Sequence, residues 1–344
     1  MLDLKQSLLQ GVRIKHIWIF ITDKCNLNCD YCFFSEKKGK HFLNTAKITA
    51  LFGLLPKAMP HDFIISGGEP LLYWAFASKL IAMIRKQFPH SEITLQTNVL
   101  LLNPQKAQFL KAHGVVIEPG VDGDFVANFR HRKGFTSENF SVFLRSLNLI
   151  VKHKLCMNPT MTVHPEESEH MFDNFRVLIS FGLRSIDIHP ALLSQWTEAA
   201  RKVFMKNYKK VILYENKTGS HLVSKNYSIP ISRCLDLIVQ PDGFVLPNWV
   251  FLAFPYRLRK NFFIMRIGTG KIEIMKDNLR AYLKRLQTFF EGEKSYRDFS
   301  NFNAAIALEA AKDRKLYTWF LEYKILTEEI QKIDRLFLKK ADLQ

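Results

Sequence analysis

The sequence predicts an α/β chain: a run of parallel strands covered by helices, then a smaller α+β extension. Three observations carry this expectation. Six short apolar runs are separated by five helix-like segments between residues 17 and 189. The two densest motifs, CNLNCDYC and SGGEP, each follow directly on an apolar run. That places both at the carboxyl ends of strands, where such folds hold their ligands. From about residue 227 the alternation stops, and a hairpin pattern around Pro241-Asp242-Gly243 begins.

The elements follow in order. Residues 17–21 form the first strand and the cysteine loop follows it. Residues 45–55 form a helix with Asn44 as its N-cap. Residues 63–66 and 93–97 are the second and third strands, separated by a helix over 75–87. A helix over 104–113 ends at Gly114, and 115–119 is the fourth strand. A long loop then leads to a helix over 138–153. Residues 155–163 and 185–189 are the fifth and sixth strands, flanking a helical stretch over 165–181 that stops at Gly182. Cys156 falls inside the fifth strand, where a thiol is expected to be buried and inert. His189 closes the sixth strand, at the end where ligands sit.

The bulk numbers bound the class. A chain of 344 residues with 47% hydrophobic content makes one large domain or a domain with a smaller companion. No apolar run reaches the length of a membrane span, and the first residues lack the pattern of a signal peptide. Five cysteines, three of them clustered, do not make a disulfide framework, so a reducing, cytoplasmic setting is expected. The formal charge of +17 attracts polyanions, acidic peptides or membrane surfaces. Its residues are dispersed, as on a solvated basic face, although Arg257, Arg259, Lys260 and Arg266 are interleaved with Tyr256, Phe262 and Phe263. Such interleaving could stack nucleic-acid bases. Eleven histidines show no metal-ligand spacing.

The chemistry concentrates in two motifs. Cys25, Cys29 and Cys32 aim three thiolates at one place. Thiolates at that spacing bind soft metals or iron–sulfur clusters. Either a cubane cluster with one iron left open, or a zinc ion with Cys156, Cys234 or a histidine as fourth ligand, satisfies the triplet. The second motif is Ser66-Gly67-Gly68-Glu69-Pro70. Two residues without Cβ let backbone come close to a ligand, and Glu69 offers a carboxylate to a cationic group.

Together CNLNCDYC and SGGEP resemble the radical S-adenosylmethionine (radical SAM) superfamily. The resemblance implies a partial (β/α)6 barrel, with Cys25, Cys29 and Cys32 holding one [4Fe–4S] cluster whose open iron is chelated by S-adenosylmethionine. It implies that Gly67, Gly68, Glu69 and Pro70 form the strand end for the methionine amino group, and that Tyr31 lies near the adenine. Reduction of the cluster, by a donor such as flavodoxin or ferredoxin, then yields a 5′-deoxyadenosyl radical that takes a hydrogen from the substrate. Thr97 and Asn98 match a family Thr-Asn-Gly strand end, with Val99 in place of the glycine. Asp122 and Gly123 match a Ser-Leu-Asp-Gly strand end that touches the SAM ribose, with Gly120 in place of the serine. Arg132 is the corresponding candidate for the SAM carboxylate.

Residues 234–249, CLDLIVQPDGFVLPNW, resemble the opening of the SPASM or twitch extension of peptide- and protein-modifying members. Cys234 is kept, Asn248 stands where the next cysteine belongs, and no cysteine follows, so auxiliary clusters are not expected. Residues 266–274 resemble the strand that closes that extension, and the charged remainder reads as helical, with apolar residues at helical spacing over 316–338. The expected organisation is a barrel domain over 1–226 and a cluster-free extension over 227–344. The expected function is a radical SAM enzyme acting on a peptide or protein, with residues 255–263 at the rim of the substrate cleft. The alternatives are an anionic small molecule or nucleic acid as substrate, or a non-catalytic iron–sulfur protein. The residue that handles the hydrogen or quenches the radical is not marked.

Overall fold

The computed structural model describes residues 14–34, 39–57, 60–191, 194–223, 235–247, 251–252 and 259–275, with Glu329, Lys332 and Ile333. The expectations for Cys234, Asn248, residues 255–258 and the helical remainder after 278 lie outside the described residues, those last three apart. In chain order the strands are β1 (Ile14–Phe20), β2 (Asn28–Cys29), β3 (Asp62–Ser66), β4 (Glu92–Thr97), β5 (Val116–Pro119), β6 (Arg132–Lys133), β7 (Thr160–Val163), β8 (Asp187–Pro190), β9 (Leu235–Val239), β10 (Phe244–Leu246), β11 (Met265–Ile267) and β12 (Ile272–Ile274). The helices are α1 (Thr45–Leu54), α2 (Trp74–Gln87), α3 (Pro104–Ala112), α4 (Phe125–His131), α5 (Ser137–Lys152), α6 (Met171–Ser180) and α7 (Glu198–Thr218). None is long and apolar enough to cross a membrane among the described residues. The described residues fall into two compact units.

The first unit takes the described residues up to Cys25, those between 34 and 95 and those between 235 and 275. β1 is central and parallel to β3 on one side and β9 on the other, with Phe20 opposite Ser66 and Ile19 opposite Val239. β4 continues the parallel order beyond β3. Beyond β9, the strands β10, β11 and β12 follow antiparallel. The Pro-Asp-Gly hairpin of the extension therefore adds directly to the sheet edge beside β1. Ile17, Ile19, Phe20, Phe63 and Ile65 are completely buried. β1 and β3 consequently read as near-continuous apolar runs, as strands covered on both faces do. Asn44 caps α1 as expected, its side chain accepting from the Lys47 N–H at 3.0 Å.

The second unit takes residues 26–33 and the described residues between 96 and 223, with 329, 332 and 333. Here the parallel order passes from the end of β4 to β5 through the Gly120 N–H to the Thr97 carbonyl, at 3.0 Å. Bridges from Ile117 to Met157 and from Gly120 to Thr160 lead on to β7, which pairs with β8. Ile117, Met161, Val163 and Ile188 face inward and are buried, whereas Glu118, Thr160, Asp187 and His189 form the more open face. That period-2 split is what a strand demands. Cys156 is exposed rather than buried: it precedes the bridge at Met157, and β7 proper starts only at Thr160. The stretch read as a long loop contains α4, capped by Asp124. The 21-residue α7, capped by Thr197 and stopped by Gly219 in left-handed backbone, is an element beyond those the sequence pattern predicts.

Candidate active site

In the first unit the Gly67-Gly68-Glu69 corner is clamped to the chain's own backbone. The Gly68 N–H donates to the Thr22 carbonyl and the Glu69 N–H to the Lys24 carbonyl, each at 2.8 Å. Gly67 has φ of +140°, and a Cβ there would lie 2.5 Å from the Thr22 oxygen. A Cβ on Gly68 would lie 2.1 Å from the Lys24 oxygen and 2.9 Å from the Cys25 nitrogen. The glycines thus serve first a close approach between two segments of protein, one of which ends on the first cysteine. Glu69 is 1% exposed. Its Oε1 accepts from the Leu71 N–H at 2.9 Å, capping a 3-10 turn whose first residue is Pro70.

In the second unit Cys29 and Cys32 are half-buried, and the Cys32 N–H donates to the Cys29 carbonyl at 3.2 Å. β2, which carries Cys29, pairs antiparallel with β6, placing Cys29 opposite Arg132. Thr97 and Asn98 organise the turn that follows β4: Thr97 Oγ1 accepts from the Val99 N–H, and Asn98 Oδ1 from the Leu100 N–H. Asn98 Nδ2 also reaches Asn26 Oδ1 at 2.8 Å. Asp122 is buried and receives Arg132 as a fork, with Nε at 2.7 Å and Nη2 at 2.9 Å. The Tyr31 hydroxyl donates to the same carboxylate, and so does the Thr162 N–H. Burial pushes the Tyr31 phenol well above its ordinary pKa, so it remains a donor. For Arg132 burial works against the charge, and the Asp122 carboxylate outweighs it and holds the guanidinium charged.

The scan against protein families matches residues 19–179 to the family described as the radical SAM superfamily. Residues 19–179 are a radical SAM domain. A serine-type anaerobic sulfatase-maturating enzyme of Klebsiella pneumoniae is 27% identical over 179 residues, 49% of this chain and 45% of that protein. A GTP 3′,8-cyclase of Peptoclostridium acidaminophilum is 37% identical over 120 residues, 33% of this chain and 36% of that protein. The chain spans about half the length of the curated relatives it matches first. Among solved structures, native anSMEcpe with bound AdoMet and Cp18Cys peptide superposes with a TM-score of 0.65 at 17% identity. That match covers 94% of this chain and 99% of that one, and it shows the shared α/β fold.

The two departures from the radical SAM pattern have structural counterparts. A Cβ on Gly120 would sit 3.1 Å and 3.2 Å from the two terminal nitrogens of Arg132, so the missing serine makes room for the guanidinium that grips Asp122. Val99, where the pattern has glycine, takes φ of +57° with its side chain completely buried. A β-branched residue there strains the backbone, and burial of its isopropyl group offsets the strain.

The second unit also has a polar face that no sequence motif marks. Glu118 Oε1 accepts from Gln96 Nε2 at 2.8 Å and from Thr160 Oγ1 at 3.0 Å. Burial raises the Glu118 pKa, and those two hydrogen bonds oppose the rise. His189 lies on the same strand face, its Nε2 3.0 Å from Asp187. Partial burial disfavours its cation, and the Asp187 carboxylate overcomes this to raise its pKa. His131, His164 and Glu166, unlinked in sequence, also converge, with one ligand atom of each within 4.8 Å of the others. The two imidazole rings are stacked, centroids 3.9 Å apart and planes 23° from parallel. Both rings reach Glu166 at 3.9 Å and His131 reaches Glu167 at 3.6 Å, so this trio is a stacked pair facing carboxylates.

Proposed function

We propose that this chain is a radical SAM enzyme that modifies a peptide or protein. Cys25, Cys29 and Cys32 hold one [4Fe–4S] cluster, and S-adenosylmethionine binds with its amino group at Gly67, Gly68 and Glu69 and its adenine near Tyr31. When bound, that pair supplies a 5′-deoxyadenosyl radical able to take a hydrogen atom from an unactivated position. The observation that carries the reading is the clamp at Gly68 and Glu69, which ties the amino-group strand end to Thr22–Cys25 through two backbone hydrogen bonds of 2.8 Å. Pro70 opens the turn that Glu69 caps, and the cap orients the carboxylate. Thr97 and Asn98 shape the neighbouring strand end. Asp122, held by Arg132 and Tyr31, lines the ribose side.

The Gln96, Glu118, Thr160 and His189 face is the proposed contact surface for the reacting part of the substrate. Glu118 there keeps or gives up a proton at Oε1, and Gln96 and Thr160 hold it in place. The peptide reading is supported by the sulfatase-maturating relatives and by the peptide named with the superposed structure. A small anionic substrate is the second reading, favoured by the 37% identity to a GTP cyclase and by the charge of +17. The cytoplasm is the proposed setting, with a flavodoxin- or ferredoxin-type electron donor.

The test is Glu69→Gln in protein reconstituted with iron and sulfide. The carboxylate–ammonium hydrogen bond is charge-assisted, contributing about 1.5–3 kcal/mol. The variant should keep its iron and lose about tenfold to a hundredfold in affinity for S-adenosylmethionine. Unchanged affinity would remove Glu69 from the amino-group site, and absence of 5′-deoxyadenosine from reduced wild-type protein would end the enzymatic reading.

A further inference from the structure

The first unit holds a cavity of about 570 Å³ that the proposed chemistry does not use. It opens beside α1 and the β9–β10 turn, and its size is that of a site for a small organic molecule. Four lining side chains are cationic: Lys40, Lys47, Arg259 and Arg266. Two are acidic, Asp23 and Asp242, and both are already engaged. Asp23 accepts from the His41 N–H at 3.0 Å and faces His41 Nδ1 at 2.9 Å. Asp242 accepts from the Phe244 N–H at 3.1 Å.

Arg259 donates from Nη1 to the Leu252 carbonyl at 3.3 Å, and the Asp242 carboxylate attracts both Arg259 and Lys47. Among the described residues, none of Lys40, Lys47 and Arg266 forms an ion pair with a carboxylate. Lys47 Nζ spends one hydrogen on the backbone carbonyl of Asp242, at 3.1 Å. Arg266 lies over the Phe244 ring, 5.0 Å from its centroid. Gln240 adds the observation that points to a ligand. It lines the cavity and is 2% exposed, and its amide nitrogen has no hydrogen-bond partner among the described residues. A buried donor left without an acceptor is rare in folded proteins. Here it stands in a cavity whose remaining polar groups are chiefly cationic donors. An acceptor brought in from outside would satisfy the Gln240 amide, and an oxyanion does so best. Phe42 and Phe244 supply an apolar wall for the rest of the molecule.

We propose that this cavity binds a small organic anion through a carboxylate or phosphate group held by Gln240, Lys47 and Arg266. The group belongs either to a free molecule or to an acidic side chain of a bound peptide. The site draws on none of the residues assigned to S-adenosylmethionine.

The experiment is calorimetric titration of the full chain, reconstituted with iron and sulfide, with inorganic phosphate in 0.15 M NaCl. Saturable one-site binding is expected. Lys47→Met and Gln240→Glu should each weaken it at least tenfold, the scale of one charge-assisted hydrogen bond. Lys152→Met, at the exposed end of α5, should leave it unchanged. Lys47 is only half-buried and its replacement keeps the length of the stem, so that variant serves even if Gln240→Glu folds poorly. Displacement of bound phosphate by acetyl-Ala-Glu-Ala-amide assigns the site to a peptide side chain, and bound phosphate that the tripeptide does not displace assigns it to a free anion. Absence of saturable binding, or equal weakening by Lys152→Met, overturns the proposal by reducing it to the general attraction of a basic surface.

Discussion

The Gly67–Glu69 corner and the Asp122 corner each follow the end of a strand, and they are built in opposite ways. The first is backbone against backbone: two hydrogen bonds of 2.8 Å and two positions where a Cβ has no room. The second is side chain against side chain, a forked ion pair with its arginine 7% and its aspartate 4% exposed. Backbone contact cannot be re-fitted by a neighbouring rotamer, so it tolerates no substitution. A buried ion pair can be replaced as a pair, but not one partner at a time.

Gly68→Ala tests the first half of that contrast and should have the largest effect. Ordinary overpacking costs about 1–3 kcal/mol because side chains move aside. Here the 2.1 Å contact is with the Lys24 carbonyl, so the segment entering Cys25 must move. The expected outcome is a chain that fails to retain iron after reconstitution, measured by metal analysis. Full iron loading would show that the clamp is dispensable.

Arg132→Met tests the second half. It leaves the Asp122 carboxylate buried without its cation and should cost about 3–5 kcal/mol in urea unfolding. Adding Asp122→Leu should recover most of that loss, because the pair then leaves together. A double variant as unstable as the single one would make the two corners alike.

Glu118→Gln should have a smaller effect that depends on pH. Burial raises the folded-state pKa of Glu118, so the folded chain binds its proton more tightly than the unfolded chain. Wild-type stability from this group is complete below the ordinary glutamate pKa of about 4.3 and falls as pH rises through the raised value. The variant carries no such group. Its stability relative to wild type should therefore increase from pH 4 towards pH 8, and a difference independent of pH would contradict the raised pKa. Val99→Gly should change least. Relief of the left-handed backbone, about 1–3 kcal/mol, is set against loss of a buried isopropyl group, about 1.5–3 kcal/mol. A net change within about 1 kcal/mol is expected in the same unfolding assay.

The parts of the molecule that sequence made legible are those whose signals are local. Asn44 before α1, the apolar runs of β1 and β3, and the Pro-Asp-Gly turn each lie within a few residues of what they determine. CNLNCDYC and SGGEP are equally compact. The α7 helix escaped although Thr197 and Gly219 mark its ends, because its charged surface residues obscure a buried stripe of Phe204, Tyr208, Val211 and Ile212. The Gln96, Glu118 and Thr160 trio was out of reach for a different reason. Each is one polar residue in an alternating strand, and only strand order and register bring three such residues to one oxygen. Arg132 was singled out for a cofactor carboxylate, and in the structure Asp122 of its own chain takes both arms of the fork. The exposure of Cys156 depended on where β7 begins, and strand boundaries are the least certain part of a pattern reading.

The pairing of β2 with β6 has a consequence for the order in which the protein is made. Cys25 is braced by Gly68, and Cys29 lies opposite Arg132. During synthesis the brace for the first cysteine emerges well before the partner of the second. At roughly 5–20 residues per second the interval is on the order of several seconds. A nascent chain passes through that interval with Cys25 already braced and Cys29 still without its strand partner, which arrives only once β6 has been translated.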